Sequence, residues 1–303
     1  MNPPPSTRRE WQARRAPLRK LVVDLMGGHP QGRAPLNPEL VSSTRKGGAI
    51  VEEVSFVSEP GIRLSALVSK PTRSESRLPA IVCLHGTGED KETISDDLFD
   101  ELVERGYLAI AIDMRYYTPR TYFHDIRFAV EAVVRGFCMY RDLTWDVVRT
   151  VDYLQSRKDV DGKRIGCTGF SLGGQLTWLS AALDERIAVS APACGVTTLE
   201  AQFKEGADEW SSIGAFIPGE LKYTDNSEII SLIAPRPLLI LAASNDPIFP
   251  IKGARDAYRY ARSVYELYGA RERLGLFADE RRSHAHSLKM RGKADDWFDR
   301  WLK

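Results

Sequence analysis

A chain of 303 residues, 43% of them hydrophobic, can bury a large core, and α/β folds of this length often form one domain. Lys plus Arg total 42 against 41 Asp plus Glu, which leaves no whole-molecule field to draw in nucleic acid or an acidic membrane, so the expected partner is a small molecule. The four cysteines lack the close spacing of zinc or redox sites and no apolar run approaches twenty residues, so free buried thiols in a soluble, cytoplasmic protein are expected, with oligomeric state left open.

Residues 1–10 are rich in Pro, Ser, Thr and Arg, and Trp11, Leu18, Val22 and Leu25 then recur at helical spacing. Residues 1–46 therefore read as an N-terminal extension with an amphipathic helix, and 47–303 as a single domain. The arginines of the first twenty residues fit a solvated helix face better than a polyanion contact.

Strand patterns at 51–57 and 62–69 flank the turn signal Pro60-Gly61 and predict an antiparallel hairpin. Short apolar runs follow at 80–84, 107–112, 164–168, 187–191, 237–243 and 273–277, too short for helices and apolar enough for strands buried on both faces. Helical patterns lie between them, as where Val147, Val148, Val151 and Leu154 share a face, and where Met290, Ala294, Trp297, Phe298 and Trp301 do. Alternation of this kind predicts an α/β fold, a mostly parallel eight-stranded sheet covered by helices on both faces. Residues 116–141 and 195–230 break the alternation, carry many aromatics, and are candidate lid or pocket-wall segments.

The strand ending at Thr168 runs into Gly169-Phe170-Ser171-Leu172-Gly173-Gly174 and then into a helical pattern. A strand, tight turn and helix expose the serine hydroxyl on a strained backbone, with glycines where side chains would collide. A serine needs a base to take its proton and a carboxylate to orient that base, and in this architecture acid and histidine follow the serine in that order. After Ser171 the only histidines are His284 and His286, both in the loop between the last strand and the C-terminal helix. Asp246 ends the strand before them, in Ser244-Asn245-Asp246-Pro247, whereas the competing Asp279 and Glu280 share the histidines' own loop.

Acyl chemistry also needs donors for the developing oxyanion. The strand at 80–84 ends in His85-Gly86-Thr87-Gly88, whose Thr87 amide can face that of Leu172, leaving His85 a structural role. A phosphate cradle is disfavoured because neither a dinucleotide fingerprint nor a Gly-Lys-Ser triplet is present. A metal centre built from His124, His284 and His286 lacks any recognisable ligand motif, so no metal is expected. Arg115, Tyr116 and Tyr117 follow a strand end at the same edge and are read equally as pocket wall or packing. Trp210, Phe216, Tyr223 and Phe249 supply bulk for a pocket that favours small acyl groups.

Over about residues 50–303 the sequence resembles the dienelactone hydrolase-like and acetyl xylan esterase-like branch of the α/β-hydrolase superfamily. The likeness rests on His85-Gly86-Thr87-Gly88, on Asp146 through Gly174, on Ala234-Pro235-Arg236-Pro237 leading to Asp246-Pro247-Ile248-Phe249-Pro250, and on Trp297-Phe298-Asp299-Arg300-Trp301-Leu302. It implies a cofactor-free serine hydrolase of the carboxylesterase type, acting through a Ser, Asp, His triad on small or sugar-linked esters. In similar proteins the catalytic histidine precedes a small and then an aromatic residue, which His284-Ala285-His286 matches with His284 as the base. Two departures reshape the pocket floor and the histidine loop: Phe170 stands where His or Glu is frequent, and Ser283 where glycine is. A peptidase of the prolyl-oligopeptidase kind would use the same triad but usually carries a large access-controlling domain, and a silent binding protein on this fold is the non-enzyme alternative.

Overall fold

The computed structural model describes residues 2–30, 32–74, 76–116, 125–205, 216–280 and 282–303. Among these, nine strands form one sheet: β1 (Glu39–Lys46), β2 (Ala49–Glu59), β3 (Ile62–Pro71), β4 (Leu78–Leu84), β5 (Leu108–Ile112), β6 (Val160–Phe170), β7 (Ile187–Ala193), β8 (Leu238–Ala243) and β9 (Leu274–Asp279). Nine α-helices accompany them: α1 (Arg8–Leu25), α2 (Lys91–Glu104), α3 (Asp125–Val134), α4 (Met139–Ser156), α5 (Leu172–Leu183), α6 (Leu199–Glu205), α7 (Asn226–Ile230), α8 (Ile251–Leu267) and α9 (Leu288–Leu302).

The order across the sheet is β1-β2-β3-β5-β4-β6-β7-β8-β9, antiparallel as far as β5 and parallel from there to β9. The chain steps from β4 outward to β5 and returns to the other side of β4 as β6. At such a reversal, loops at the carboxyl ends of neighbouring strands diverge and leave a crevice. Leu84 pairs with Gly169 in the β4/β6 ladder, so the loop after β4 and the turn after β6 start side by side.

Both faces of the parallel part of the sheet are covered. Along β4, Ala80, Val82 and Leu84 join one core with Val147 and Val151 of α4, Leu176 of α5 and Val264 of α8. Ile81 and Cys83 point the other way, into a core with Leu98 and Leu102 of α2 and Phe298 of α9. This two-sided burial explains why the parallel strands read as unbroken apolar runs.

The eight-strand expectation is corrected to nine, because residues 39–46, which the sequence reading left in the extension, form β1 and pair with β2 from Glu39↔Ser55 to Lys46↔Ala49. Every residue of β1 is exposed, so it has no apolar alternation to announce it. The first helix docks as its apolar stripe predicts, with Trp11 and Val22 fully buried. Its arginines are not merely solvated: Arg14 meets Glu228 at 2.6 Å, Arg15 and Arg19 meet Glu185 at 3.0 and 2.8 Å, and Arg8 lies over Tyr268.

The aromatic-rich stretches contain α3 and the start of α4 in one case, and α6 and α7 in the other. Residues 117–124 and 206–215, with Tyr117, His124 and Trp210, lie outside the described residues.

Candidate active site

The turn between β6 and α5 places Ser171 at φ 56° and ψ −115°, a region costing a side-chain-bearing residue about 1–3 kcal/mol. Close backbone approach holds it there. A Cβ on Gly173 would lie 2.0 Å from the Leu84 carbonyl oxygen, one on Gly169 2.6 Å from the same atom, and one on Gly195 2.4 Å from the Gln175 amide nitrogen. The Ser171 amide donates to the Ala193 carbonyl at 3.0 Å, tying the turn to the end of β7.

Ser171 Oγ lies 2.8 Å from His284 Nε2, and His284 Nδ1 lies 2.8 Å from Asp246 Oδ2. Asp246 Oδ1 accepts the amides of Ile248 at 2.9 Å and Phe249 at 3.0 Å, which fixes the carboxylate with its other oxygen toward the imidazole. The aspartate side chain is fully enclosed while that of His284 keeps 17% of its surface. Acid and base loops are stitched by backbone bonds from Ser244 to Asp279 at 3.1 Å and from Asn245 to Arg282 at 2.8 Å. The competing acids are placed elsewhere: Asp279 accepts the Ser287 hydroxyl at 2.5 Å, and Glu280 is exposed.

His286 stacks on Phe170, ring centroids 5.7 Å apart and planes 4° apart, and its buried ring nitrogens have no partner. Burial, with Arg291 nearby, pushes its pKa down to about 3, so the ring is neutral at physiological pH. The rings of Phe170 and Phe249 also lie 4.8 and 5.7 Å from that of His284.

The Leu172 amide opens α5 and so has no acceptor one turn behind it in the helix. On the facing loop His85 is buried, its Nε2 accepts the Met114 amide at 3.0 Å and its Nδ1 lies 2.7 Å from the Gly86 carbonyl oxygen. Desolvation holds the His85 pKa below the usual imidazole value, as an accepting nitrogen requires. The Gly86 amide donates to Glu89 Oε2 at 2.7 Å. Sequence reasoning missed this clamp by Glu89, whose only signal was an acid three residues after a glycine in a loop.

Arg115 is engaged in a buried network, bonded through its guanidinium to Asp146, Glu59 and Ser58. Tyr116, at φ 78°, donates to Asp142 Oδ2 at 2.6 Å and packs its ring 5.2 Å from that of Phe128. Tyr223 is largely exposed.

Cys194 is the other residue that the sequence did not single out at the site. It directly follows β7 at φ 46°, is buried, and has its thiol 3.6 Å from the Ala285 carbonyl oxygen. Burial, reinforced by the negative charge of Asp246, pushes that thiol up to about 12.

A model of the dienelactone hydrolase family matches residues 64–259, which span the loop after β4, the serine turn and the acid. The chain belongs to the dienelactone hydrolase family. Membership, fold and the linked serine, histidine and aspartate make it a serine hydrolase. A Bacillus subtilis protein carrying the hydrolase name YtaP is 28% identical over 300 residues, 95% of this chain and 100% of that protein. The 4-O-methyl-glucuronoyl methylesterase of Neurospora crassa is 23% identical over 298 residues, 89% of this chain and 71% of the relative. In fold, the chain is similar to a glucuronoyl esterase from Solibacter usitatus, with a TM-score of 0.77 at 16% identity, covering 98% of this chain and 94% of that one.

Proposed function

We propose that this protein hydrolyses small or sugar-linked carboxylic esters through an acyl-enzyme, with Ser171 as nucleophile, His284 as base and Asp246 as the group that orients it. The observation that carries the proposal is the continuous hydrogen-bonded path from Ser171 Oγ through His284 to Asp246, with both links at 2.8 Å. Ser171 attacks the ester carbonyl as His284 Nε2 takes its proton, and the imidazolium that forms is stabilised by the enclosed Asp246 carboxylate. The Leu172 and Thr87 amides receive the oxyanion. The imidazolium then protonates the leaving alcohol, and a water activated by the same nitrogen releases the acid.

Support for the ester class comes from family membership, and support for sugar-linked esters from the methylesterase and glucuronoyl esterase named above. The aromatic walls formed by Phe170 and Phe249 around His284 favour a small acyl group. Four free, buried cysteines are in keeping with a reducing compartment such as the cytoplasm. Among the described residues no helix is long and apolar enough to cross a membrane.

Fluorophosphonate labelling of wild type and Ser171→Ala, with kcat/KM across p-nitrophenyl acetate to decanoate, acetylated sugars and peptide amides, tests the reading. Labelling only in wild type, with activity falling as the acyl chain lengthens, is expected. Persistent labelling of the alanine variant would mean another nucleophile, and preferential cleavage of amides a peptidase.

A further inference from the structure

Behind the catalytic dyad the structure gathers three ligands of the kind soft divalent cations take. Cys194 Sγ, an Asp246 oxygen and a His284 ring nitrogen all lie within 4.8 Å of one another. Three atoms so spaced have a common point no more than about 2.8 Å from each, against Zn–N and Zn–S bonds of about 2.1 and 2.3 Å. Shifts of about half an ångström or a little more per donor would close the shell.

We infer that Cys194, Asp246 and His284 form an inhibitory site for a zinc-class cation, which silences the enzyme by taking the place of the proton between the imidazole and the carboxylate. Binding rests on the donor geometry alone, whereas the inhibition also rests on the catalytic reading above.

The donor set selects the ion. One sulfur, one imidazole nitrogen and one carboxylate suit zinc or cadmium, while calcium and magnesium want shells of oxygen. A second soft atom is at hand, because Met290 Sδ lies 4.0 Å from Cys194 Sγ. The ligands are also held from behind: Asp246 Oδ1 by the Ile248 and Phe249 amides at 2.9 and 3.0 Å, and the Cys194 backbone by its amide bond to the Leu241 carbonyl at 2.8 Å. Outer bonds of this kind keep ligands aimed at a common centre.

Charge and protons balance. A buried thiol is inert without an ion, but a coordinated one is deprotonated outright. The thiolate and the carboxylate then neutralise the dication; the Sγ proton leaves to solvent, while the proton displaced from His284 Nδ1 moves to Nε2 and the imidazole stays neutral. With the cation on Nδ1 and a proton already on Nε2, His284 has no lone pair with which to take the Ser171 proton.

The test uses the full chain stripped with chelator and titrated with cadmium or zinc alone. Cadmium is expected to raise a thiolate charge-transfer band saturating at one ion per chain, in wild type and in Ser171→Ala alike. Zinc is expected to inhibit ester hydrolysis reversibly, chelator restoring it, and Cys194→Ala to lack the band and need at least about tenfold more zinc for the same inhibition. Cys194→Ser, which keeps the volume with a harder donor, should behave like the alanine variant. A band that persists without Cys194, or inhibition at an unchanged zinc concentration, overturns the inference. The band in a wild type that cleaves no ester supports the site while sinking the proposed activity.

Discussion

The imidazole of His85 bridges two loops, taking the Met114 amide on Nε2 at 3.0 Å and holding the Gly86 carbonyl oxygen with Nδ1 at 2.7 Å. A ring that accepts at one nitrogen donates from the other, so this is neutral imidazole with its proton on Nδ1. A trans peptide whose C=O is held this way sends its N–H in the opposite direction. The N–H in question is that of Thr87, one of the two proposed oxyanion donors, and Glu89 fixes the preceding amide. His85→Ala and Glu89→Ala are therefore expected to lower kcat with KM little changed, the first by about 10²–10³-fold, as when an oxyanion donor is lost. Steady-state kinetics on a soluble ester, with thermal melts confirming folding, measure this. A rise in KM at constant kcat would assign both residues to substrate binding instead.

The two histidines of the C-terminal loop, two positions apart, should differ by orders of magnitude. His284 touches both Ser171 and Asp246, whereas His286 stacks on Phe170 with no polar partner. His284→Ala should cost several powers of ten in kcat, about 10³ or more, and His286→Phe, which preserves the stack, less than about tenfold. Near-wild-type turnover in His284→Ala would return the base to His286.

Glu220 gives stability a pH dependence of its own. It is buried, its Oε1 has no hydrogen-bond partner, and desolvation together with nearby Asp225 raises its pKa to about 8. The folded chain therefore holds a proton that the unfolded chain releases above about 4.5, so stability falls as pH rises from there to about 8 and is level beyond. Glu220→Gln keeps the shape and removes the linked proton. Its Tm should match wild type most closely near pH 4.5 and exceed it at pH 8, by no more than about 5 kcal/mol in unfolding free energy at about 1.4 per pKa unit. Parallel melting curves across that range decide it, and a Tm difference independent of pH would count against it.

Trp11 carries the docking of the first helix. It is fully buried in the core shared with α4, α5 and α8, and Trp11→Ala is expected to cost about 3–5 kcal/mol of stability while leaving kcat unchanged in the folded fraction. Denaturant unfolding and activity at low temperature separate the two effects. An unchanged midpoint would show that the helix contributes nothing to the fold.

The parallel strands and the covering helices were legible because burial on both faces leaves an apolar run, and one face leaves a 3.6-residue stripe. Ser171, Asp246 and His284 were legible because chain order and strand ends constrain where such groups can stand. β1 was not, since a strand exposed on both faces carries no period. Nor was the use of Arg14, Arg15 and Arg19, because Glu228 and Glu185 lie far away in sequence. Arg115 reads the same from sequence whether it meets substrate or Asp146, and only the fold brings the helix bearing Asp146 beneath it. The position of Cys194 depends on how β7 lies beside β8, which no local pattern encodes.

The stitches between Ser244 and Asp279 and between Asn245 and Arg282 have a thermal consequence. They make the acid and the base one travelling unit, slung from β8 and from β9, which has a strand neighbour on one side only. Opening is expected to cost less at such a rim than beside β6, which leads into Ser171 and has strand neighbours on both sides. Warming is therefore expected to withdraw His284 and Asp246 together, so that ester turnover falls reversibly below the global Tm, which activity assays and melts on the same sample compare.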